Sequence, residues 1–498
     1  MTTNEQVLAE KINHLTEKNS HLSEENKRLR HMIDLYKKEK FGSKSEPFIE
    51  ELDPQLLFNE LEVEAATEPQ LPLVQETITY TRKKGRQKKK PFPEDLPRED
   101  VIIDIPESEK VCPHDGTKLK EIGEDIVEKL KTEPARSTVI VEHKKKYACP
   151  CCESHIAHAK TNAILPKTIA TPELLSFLIF SKFFQGLPLY RLEELYKLQG
   201  IELSRGKMAR WLIQVSEKLV PIWNLLEERV LDSGYMAIDA TKVQVLKENG
   251  RKAETKSSMW VRGSPEQGIV LFDYDTSGGG HVAKRLIESF RGGVQADAHK
   301  GYGALDKSAL TLLGCMMHAR RRFYKAWLGG QKRPGIAETG LTKMKHLYDL
   351  ESAYKEQGLS SERRYEARLN EVGPYLETIK KWCKKHRSKV PKDSPIGNAI
   401  HYFIHEYDEL SGFLKDGRYE IDNGWVERVI RKFAIGRNNW MFCDSVEGAH
   451  ASSILYSLTL TAKLNGKDPY VVMTEVFEKL PLAENIDDYE ALAKIFLK

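Results

Sequence analysis

The chain has 498 residues, too many for one ordinary hydrophobic core, so several domains are expected. Its 77 basic and 73 acidic residues leave a formal net charge of +4, which excludes a bulk polycation or polyanion and moves the question to how charge is distributed. No apolar run approaches the ~20 residues of a membrane span, and the opening Met1-Thr-Thr-Asn-Glu-Gln has neither a basic nor an apolar leader region, so a cytoplasmic protein without membrane contact is expected. Seven cysteines, four of them between residues 112 and 152, fit a reducing compartment and a metal site better than a disulfide framework.

Residues 1–40 have the repeat of a coiled coil. Leu8, Leu15, Leu22, Leu29 and Tyr36 fall at d, and Ile12, Asn19, Asn26 and Ile33 at a. Leucine at d with asparagine at a predicts a parallel pair, because buried amides match in one register only. A homodimer or larger assembly is therefore expected. The alternative, an amphipathic helix packed on its own protein, would need a wider apolar face. Residues 41–105 read as a linker, with nine acids and one base from Gly42 to Tyr80. A basic run comes next in Arg82, Lys83, Lys84, Arg86, Lys88, Lys89 and Lys90, suited to phosphate.

Residues 106–162 carry Cys112, then Cys149 and Cys152 at the two-residue gap that lets both sulfurs face one tetrahedral ion. The first pair is incomplete, and His114 or Asp115 must substitute. Two readings stand: a zinc ribbon, or a ribbon that keeps its shape without zinc.

Residues 165–232 are helical in pattern. Thr171-Pro is a helix start, Leu187–Leu198 a second helix closed by Gly200, and Ser204 the cap of a third. That third helix leads with Arg205, Lys207 and Arg210, the outline of a helix-turn-helix DNA-binding domain. A plain helical bundle is the alternative.

From residue 233 to 330 strands are expected at 235–246, 257–263 and 268–274, then a helix from Val282 to Phe290, a strand ending in Asp297, and a fifth strand near Leu310. Three strands on short turns, a helix, then another strand is the opening order of a ribonuclease-H-like fold. Residues 331–415 are charged, helical and strand-poor, an insertion in that core. Residues 416–467 rejoin it through a helix carrying Glu427, and 468–498 form a closing helical segment. The fold class expected is α/β multidomain.

Asp239 lies in an apolar strand, Asp297 ends a second, and Glu427 comes just after a helix start. On the first and fourth strands of such a core, the two aspartates meet at one edge. Val426, Val429, Ile430 and Phe433 would be the buried face of the helix bearing Glu427, with Arg428, Arg431 and Lys432 as a basic stripe. Three carboxylates suit two magnesium or manganese ions, which prefer oxygen ligands and can serve both the attacking and the leaving oxygen of a phosphodiester. Singly, each acid has an ordinary reading: a strand-end acid, a turn former, and a surface partner of Arg431. Trp425 and Trp440 fit base stacking or, more commonly, core packing. Of Arg320, Arg321 and Arg322, at least one cannot face inward and is expected to meet phosphate.

The chain resembles the insertion-sequence sixty-six group of DDE (Asp-Asp-Glu) transposases along nearly its whole length. The resemblance is carried by Phe41-Gly-Ser-Lys-Ser-Glu, Leu96-Pro-Arg-Glu, the cysteine pairs, Leu187-Pro-Leu-Tyr-Arg, Asp239-Ala-Thr-x-Val-x-Val-Leu, Val294-Gln-Ala-Asp and Gly314-Cys-Met-Met-His-Ala-Arg-Arg-Arg-Phe. Most specific are Asp422-Asn-x-x-x-Glu-Arg and Gly436-Arg-Asn-Asn-Trp-Met-Phe. It implies Asp239, Asp297 and Glu427 as catalytic triad, a zinc-binding ribbon, and binding of the element's terminal repeats by the N-terminal half, with double-stranded DNA as partner and helper proteins of the same element alongside. His318 of the Cys315-x-x-His pair, Arg321, Arg428, Arg431 and Arg437 join the DNA contacts expected. Cys315 is expected to be structural. The chain departs from the family at Ala240, where glutamate is usual, at Ala298-His299, where Gly-Tyr is usual, at Asp115, and in lacking the C-terminal Leu-Leu-Pro-Trp. Two rival readings are a catalytically decayed protein that still binds element ends, and a ribonuclease-H-like nuclease or resolvase.

Overall fold

The computed structural model describes residues 137–141, 146–148, 156–158, 162–297, 310–330 and 334–498. The expected coiled coil, the basic run from Arg82 to Lys90, and the zinc candidates Cys112, His114, Asp115, Cys149 and Cys152 lie outside the described residues. The chain divides into two compact units, one formed by residues 43–159 and the other by the remainder. In the first, β1 (Lys146–Ala148) pairs antiparallel with β2 (Ile156–His158), so this short hairpin brackets the Cys149-Pro-Cys-Cys sequence.

The larger unit opens with α1 (Pro172–Ile179), started as expected by Thr171, whose hydroxyl accepts from the Leu174 amide at 3.2 Å. A wide π turn, Phe180–Phe184, continues it. Helix α2 (Leu189–Leu198) ends before Gly200, whose φ of +74° turns the chain. Ser204 caps α3 (Arg205–Leu231) through the Lys207 amide. That helix runs 27 residues, and Met208, Leu212, Val215, Leu219, Ile222, Leu226 and Val230 bury one stripe along it. This stripe joins the same core as the sheet, so the segment 165–232 shares its interior with the strands that come after it.

Strands β3 (Tyr235–Lys247), β4 (Lys256–Ser264) and β5 (Ile269–Asp275) form an antiparallel meander, close to the expected spans. After α4 (Gly280–Leu286), β6 (Gly292–Gln295) pairs parallel with β3, and β7 (Leu310–Leu313) pairs parallel with β6. The order across the sheet is β5-β4-β3-β6-β7. Strand β6 stops at Gln295, so Asp297 stands just past the strand end rather than within it.

Helix α5 (Met316–Gly329) is next, then α6 (Ile336–Glu356), α7 (Ser361–Ala367), α8 (Gly373–Arg387), α9 (Pro395–His405) and the single turn α10 (Tyr407–Leu410). These have their own core, with Phe323, Met344, Leu347, Leu376, Ile379, Ile400 and Phe403 fully buried, as an inserted helical subdomain requires. A buried ion pair fastens it. Arg368 donates to both Glu351 carboxylate oxygens at 2.8 and 2.7 Å, and to the Phe413 and Asp416 carbonyls at 3.1 Å.

The chain returns to the sheet in α11 (Gly424–Trp440) and β8 (Cys443–Ser445), which extends the far end of β3. Helices α12 (Val446–Leu464), α13 (Pro469–Lys479) and α14 (Ile486–Ile495) close the fold. Helix α12 covers the free edge of β5. The Thr461 hydroxyl accepts from the Val270 amide (3.1 Å), and the Ser457 hydroxyl accepts from the Phe272 amide (2.8 Å). Backbone groups that an edge strand would leave open are thereby satisfied by side chains. Among the described residues, no helix is long and apolar enough to cross a membrane.

Candidate functional site

Parallel pairing brings the chain segments of the first two acids together. Tyr235 faces Gly293 and Ala237 faces Gln295. Asp239 follows Ala237 by two residues along β3, and Asp297 follows Gln295 by two residues past the end of β6. Both line a cleft of about 160 Å³ with Thr241, Lys242, Ser258 and Trp260. Burial, aided by the charges of Asp297 and Glu427, pushes the Asp239 carboxyl up to about 7, against the pull of the Ala240 amide and Arg321. The Ala240 amide donates to Asp239 at 2.7 Å.

Glu427 arrives by a chain of hydrogen bonds that begins at Asn423, which is 1% exposed. The Asn423 side-chain amide donates to the Ile238 carbonyl, next to Asp239, at 3.1 Å. Its backbone amide donates to the Cys315 sulfur at 3.3 Å, and its carbonyl accepts from the Glu427 amide at 3.1 Å. One residue therefore ties β3, the start of α5 and the first turn of α11. Asp422 sets the helix start by accepting from the Gly424 amide, and it also accepts from the Tyr348 hydroxyl of α6 at 2.7 Å. Glu427 itself faces Arg321 (3.4 Å) and His318 (3.9 Å). Burial holds the His318 imidazole below its usual range, against the opposing pull of Glu427 and Asp297.

The Asp239 carboxyl thus feels the charges of both Asp297 and Glu427, and those two neighbours offer carboxylate oxygen. Such a set fits a hard divalent ion. Sequence reading quoted Asp422 and Asn423 within a motif but gave them no role, and it missed Tyr348. The signal for the first two was present in the Asp422-Asn spacing before Glu427; nothing in the sequence linked Tyr348 to them. Asn423→Ala should lower the affinity for divalent ions about 10–100-fold with a stability loss of roughly 1–3 kcal/mol. Isothermal titration with manganese and a denaturant melt check this; unchanged ion affinity would mean that Asn423 only packs.

Comparison with known proteins gives the family of the chain. A model described as "Transposase IS66 family" matches residues 167–451, which contain all three acids. The chain belongs to the IS66 family of transposases. Two further models of that family match in order: "Transposase C of IS166 homeodomain" over residues 28–101, and "zinc-finger binding domain of transposase IS66" over residues 109–153. The uncharacterized protein y4hP of Sinorhizobium fredii is 28% identical over 477 residues, covering 90% of this chain and 85% of its own length. The uncharacterized protein y4jD of the same organism is 30% identical over 406 residues, covering 78% of each chain.

The basic residues of this IS66-family chain divide into two groups. Arg205, Lys207 and Arg210 are exposed at the start of α3, and the latter two line a groove of about 370 Å³ with Lys167, Thr168, Ile169, Trp211 and Gln214. Arg428 and Lys432 are exposed on α11, and Arg431 is half-buried. Others have partners within the fold. Arg437 donates to the Thr241 hydroxyl and the Lys242 carbonyl, fastening α11 to β3. Arg322 stacks 4.1 Å over the Tyr402 ring, and Arg321 reaches Glu427. Val426, Val429 and Phe433 are buried as expected, while Ile430 is only partly so. Trp440 packs edge-on to Phe433 and donates to Tyr456, and Trp425 abuts Gly263, so both tryptophans pack against the core while staying half-buried. Cys315 is fully buried at the N-cap of α5.

Proposed function

We propose that this chain is a DNA transposase that binds the terminal inverted repeats of its insertion sequence and catalyses strand cleavage and strand transfer at Asp239, Asp297 and Glu427. The carrying observation is that Asp239 and Asp297 line one cleft, Asp239 feels the charges of Asp297 and Glu427, and Asn423 ties the helix start of Glu427 to the residue before Asp239. The meander, crossover helix and two parallel strands, in the order β5-β4-β3-β6-β7, support a ribonuclease-H-like reading of the core.

Asp239, Asp297 and Glu427 would hold two magnesium or manganese ions, which supply activation of the attacking oxygen and stabilisation of the leaving one. The protein's own groups set the rest. Asn423 fixes the first turn of α11, so Glu427 is held against the sheet. Arg321 partners Glu427 at the open side of the site. Arg428 and Lys432 present positive charge beside the acids, suited to the phosphates flanking the cut. Arg205, Lys207 and Arg210, with the basic run from Arg82 to Lys90, take the DNA of the element ends, the zinc-finger segment shapes that grip, and the heptads of residues 8–36 pair two chains. A bacterial cytoplasm and helper proteins of the same element complete the setting.

The test is nicking of DNA carrying the element's ends by the purified chain. Magnesium-dependent cleavage is expected, lost in Asp297→Ala while end binding persists. Binding without cleavage in the unaltered chain would favour the decayed end-binding protein. Cleavage of branched or heteroduplex substrates irrespective of end sequence would favour the nuclease or resolvase.

A further inference from the structure

Beside the acids lies a group with different chemistry. The Cys315 sulfur, a His318 ring nitrogen and a Glu427 carboxylate oxygen all lie within 4.8 Å of one another. Among the described residues this is the one such cluster of three potential ligands. Two features point to a ligand there. His318 Nδ1 is buried with no hydrogen-bond partner, a state that costs free energy unless something else satisfies it. The two Glu427 oxygens are also divided: Oε2 faces Arg321 at 3.4 Å, which leaves Oε1 facing His318 at 3.9 Å.

We propose that Cys315, His318 and Glu427 form a binding site for one thiophilic divalent cation, zinc, cobalt or cadmium, which has Glu427 in common with the all-oxygen site and adds sulfur and nitrogen. Sulfur, nitrogen and oxygen on one ion is the donor mixture that borderline-soft metals select and magnesium does not. Bond lengths of ~2.0–2.3 Å place tetrahedral ligand atoms roughly 3.3–3.6 Å apart, so the group closes by about 1 Å. Rotation of the His318 and Glu427 side chains supplies that movement. The sulfur is held for ligation, since the Asn423 amide donates to it at 3.3 Å. Binding releases the thiol proton, so affinity rises with pH. A solvent position completes the tetrahedron. Should the transposase reading hold, Glu427 is shared, and an ion on this site withdraws it from Asp239 and Asp297. The binding itself does not rest on that reading.

The test is a cobalt titration of the full chain after removal of metal, monitored by its sulfur-to-cobalt charge-transfer and visible bands. Thiols of the zinc-finger segment contribute equally to every sample. Cys315→Ser should bind one equivalent fewer than the unaltered chain and lose part of the charge-transfer band. His318→Gln, which keeps every cysteine, should lose the same equivalent or bind it at least tenfold more weakly. Asp239→Asn, which alters only the all-oxygen site, should keep it. Melting curves without metal report whether each variant folds. Equal stoichiometry and unchanged spectra in folded Cys315→Ser or folded His318→Gln would overturn the site, whatever the chain does to DNA.

Discussion

Asp239→Asn yields a protein that cleaves DNA at least ~10³-fold more slowly, a loss of roughly 4 kcal/mol in transition-state stabilisation, yet is more stable than the unaltered chain above neutral pH. The sign comes from the environment of the carboxyl. Burial, with Asp297 and Glu427 close by, raises Asp239 to about 7 in the folded protein. Its unfolded value is about 3.9. An acid whose folded value is raised favours the folded state least when ionised. Metal-free stability therefore falls as pH rises from about 4 to about 7, and the penalty levels off at up to roughly 4 kcal/mol. Asparagine carries no charge to penalise, so that pH dependence flattens. Divalent ions neutralise the same penalty, and magnesium or manganese should raise the melting temperature of the unaltered chain but hardly that of the variant. Thermal melts at about pH 5 and about pH 8, with and without metal, beside an end-cleavage assay, measure both halves. A variant that cleaves within tenfold of the unaltered chain would remove Asp239 from the reaction.

Arg368→Met is the second large effect, and it acts on the helical insertion. Arg368 is fully buried, with Glu351 as its bidentate partner and two backbone carbonyls on its remaining arm. Removing the guanidinium leaves a buried carboxylate and two carbonyls without their donor. A loss of about 3–5 kcal/mol is expected, whereas Arg368→Met combined with Glu351→Met should recover much of it, because two apolar side chains leave no buried charge. Glu351 and Tyr348 share α6, and Tyr348 donates to Asp422 at the root of the helix bearing Glu427. The single variant should therefore also weaken metal binding at the acids. Urea unfolding of the two single variants and the double variant decides the matter. A double variant no more stable than Arg368→Met would show that the ion pair is not what fastens the subdomain.

Much of this was legible from residue order because the signals are local. Strands β3 to β5 show apolar runs between turn residues, and Thr171 and Ser204 are capping residues that do cap. That the chain segments of Asp239 and Asp297 would lie close could be anticipated from strand order, but that β6 ends two residues before Asp297 could not. Helix α12 was missed for a physical reason. Ser453, Ser457, Thr461 and Asn465 recur every fourth residue, and this polar stripe faces inward, where Ser457, Thr461 and Asn465 hydrogen-bond along β5 and its preceding turn. Amphipathic reading assumes that the polar face meets water, so a helix whose polar face meets a strand edge gives no such pattern. Arg321, Arg322 and Arg437 carry charge that nucleic acid would welcome, yet the fold employs them on Glu427, Tyr402 and β3. Charge in a sequence does not disclose which cations have internal partners.

Two glycines at the start of β6 guard the alignment on which the acids depend. A Cβ at Gly292, where φ is +126°, would lie 2.2 Å from the Gly234 carbonyl oxygen, and one at Gly293 would lie 2.5 Å from the Tyr419 ring. Sliding this strand by a single step would bring Arg291 or Val294 into spaces that admit no side chain. The same step would turn the buried residues of β6, Val294 and Gln295 among them, to the opposite face of the sheet. Gly292 and Gly293 thus work as a mechanical key: a mis-set chain cannot seat fully, and the slipped register is made sterically expensive.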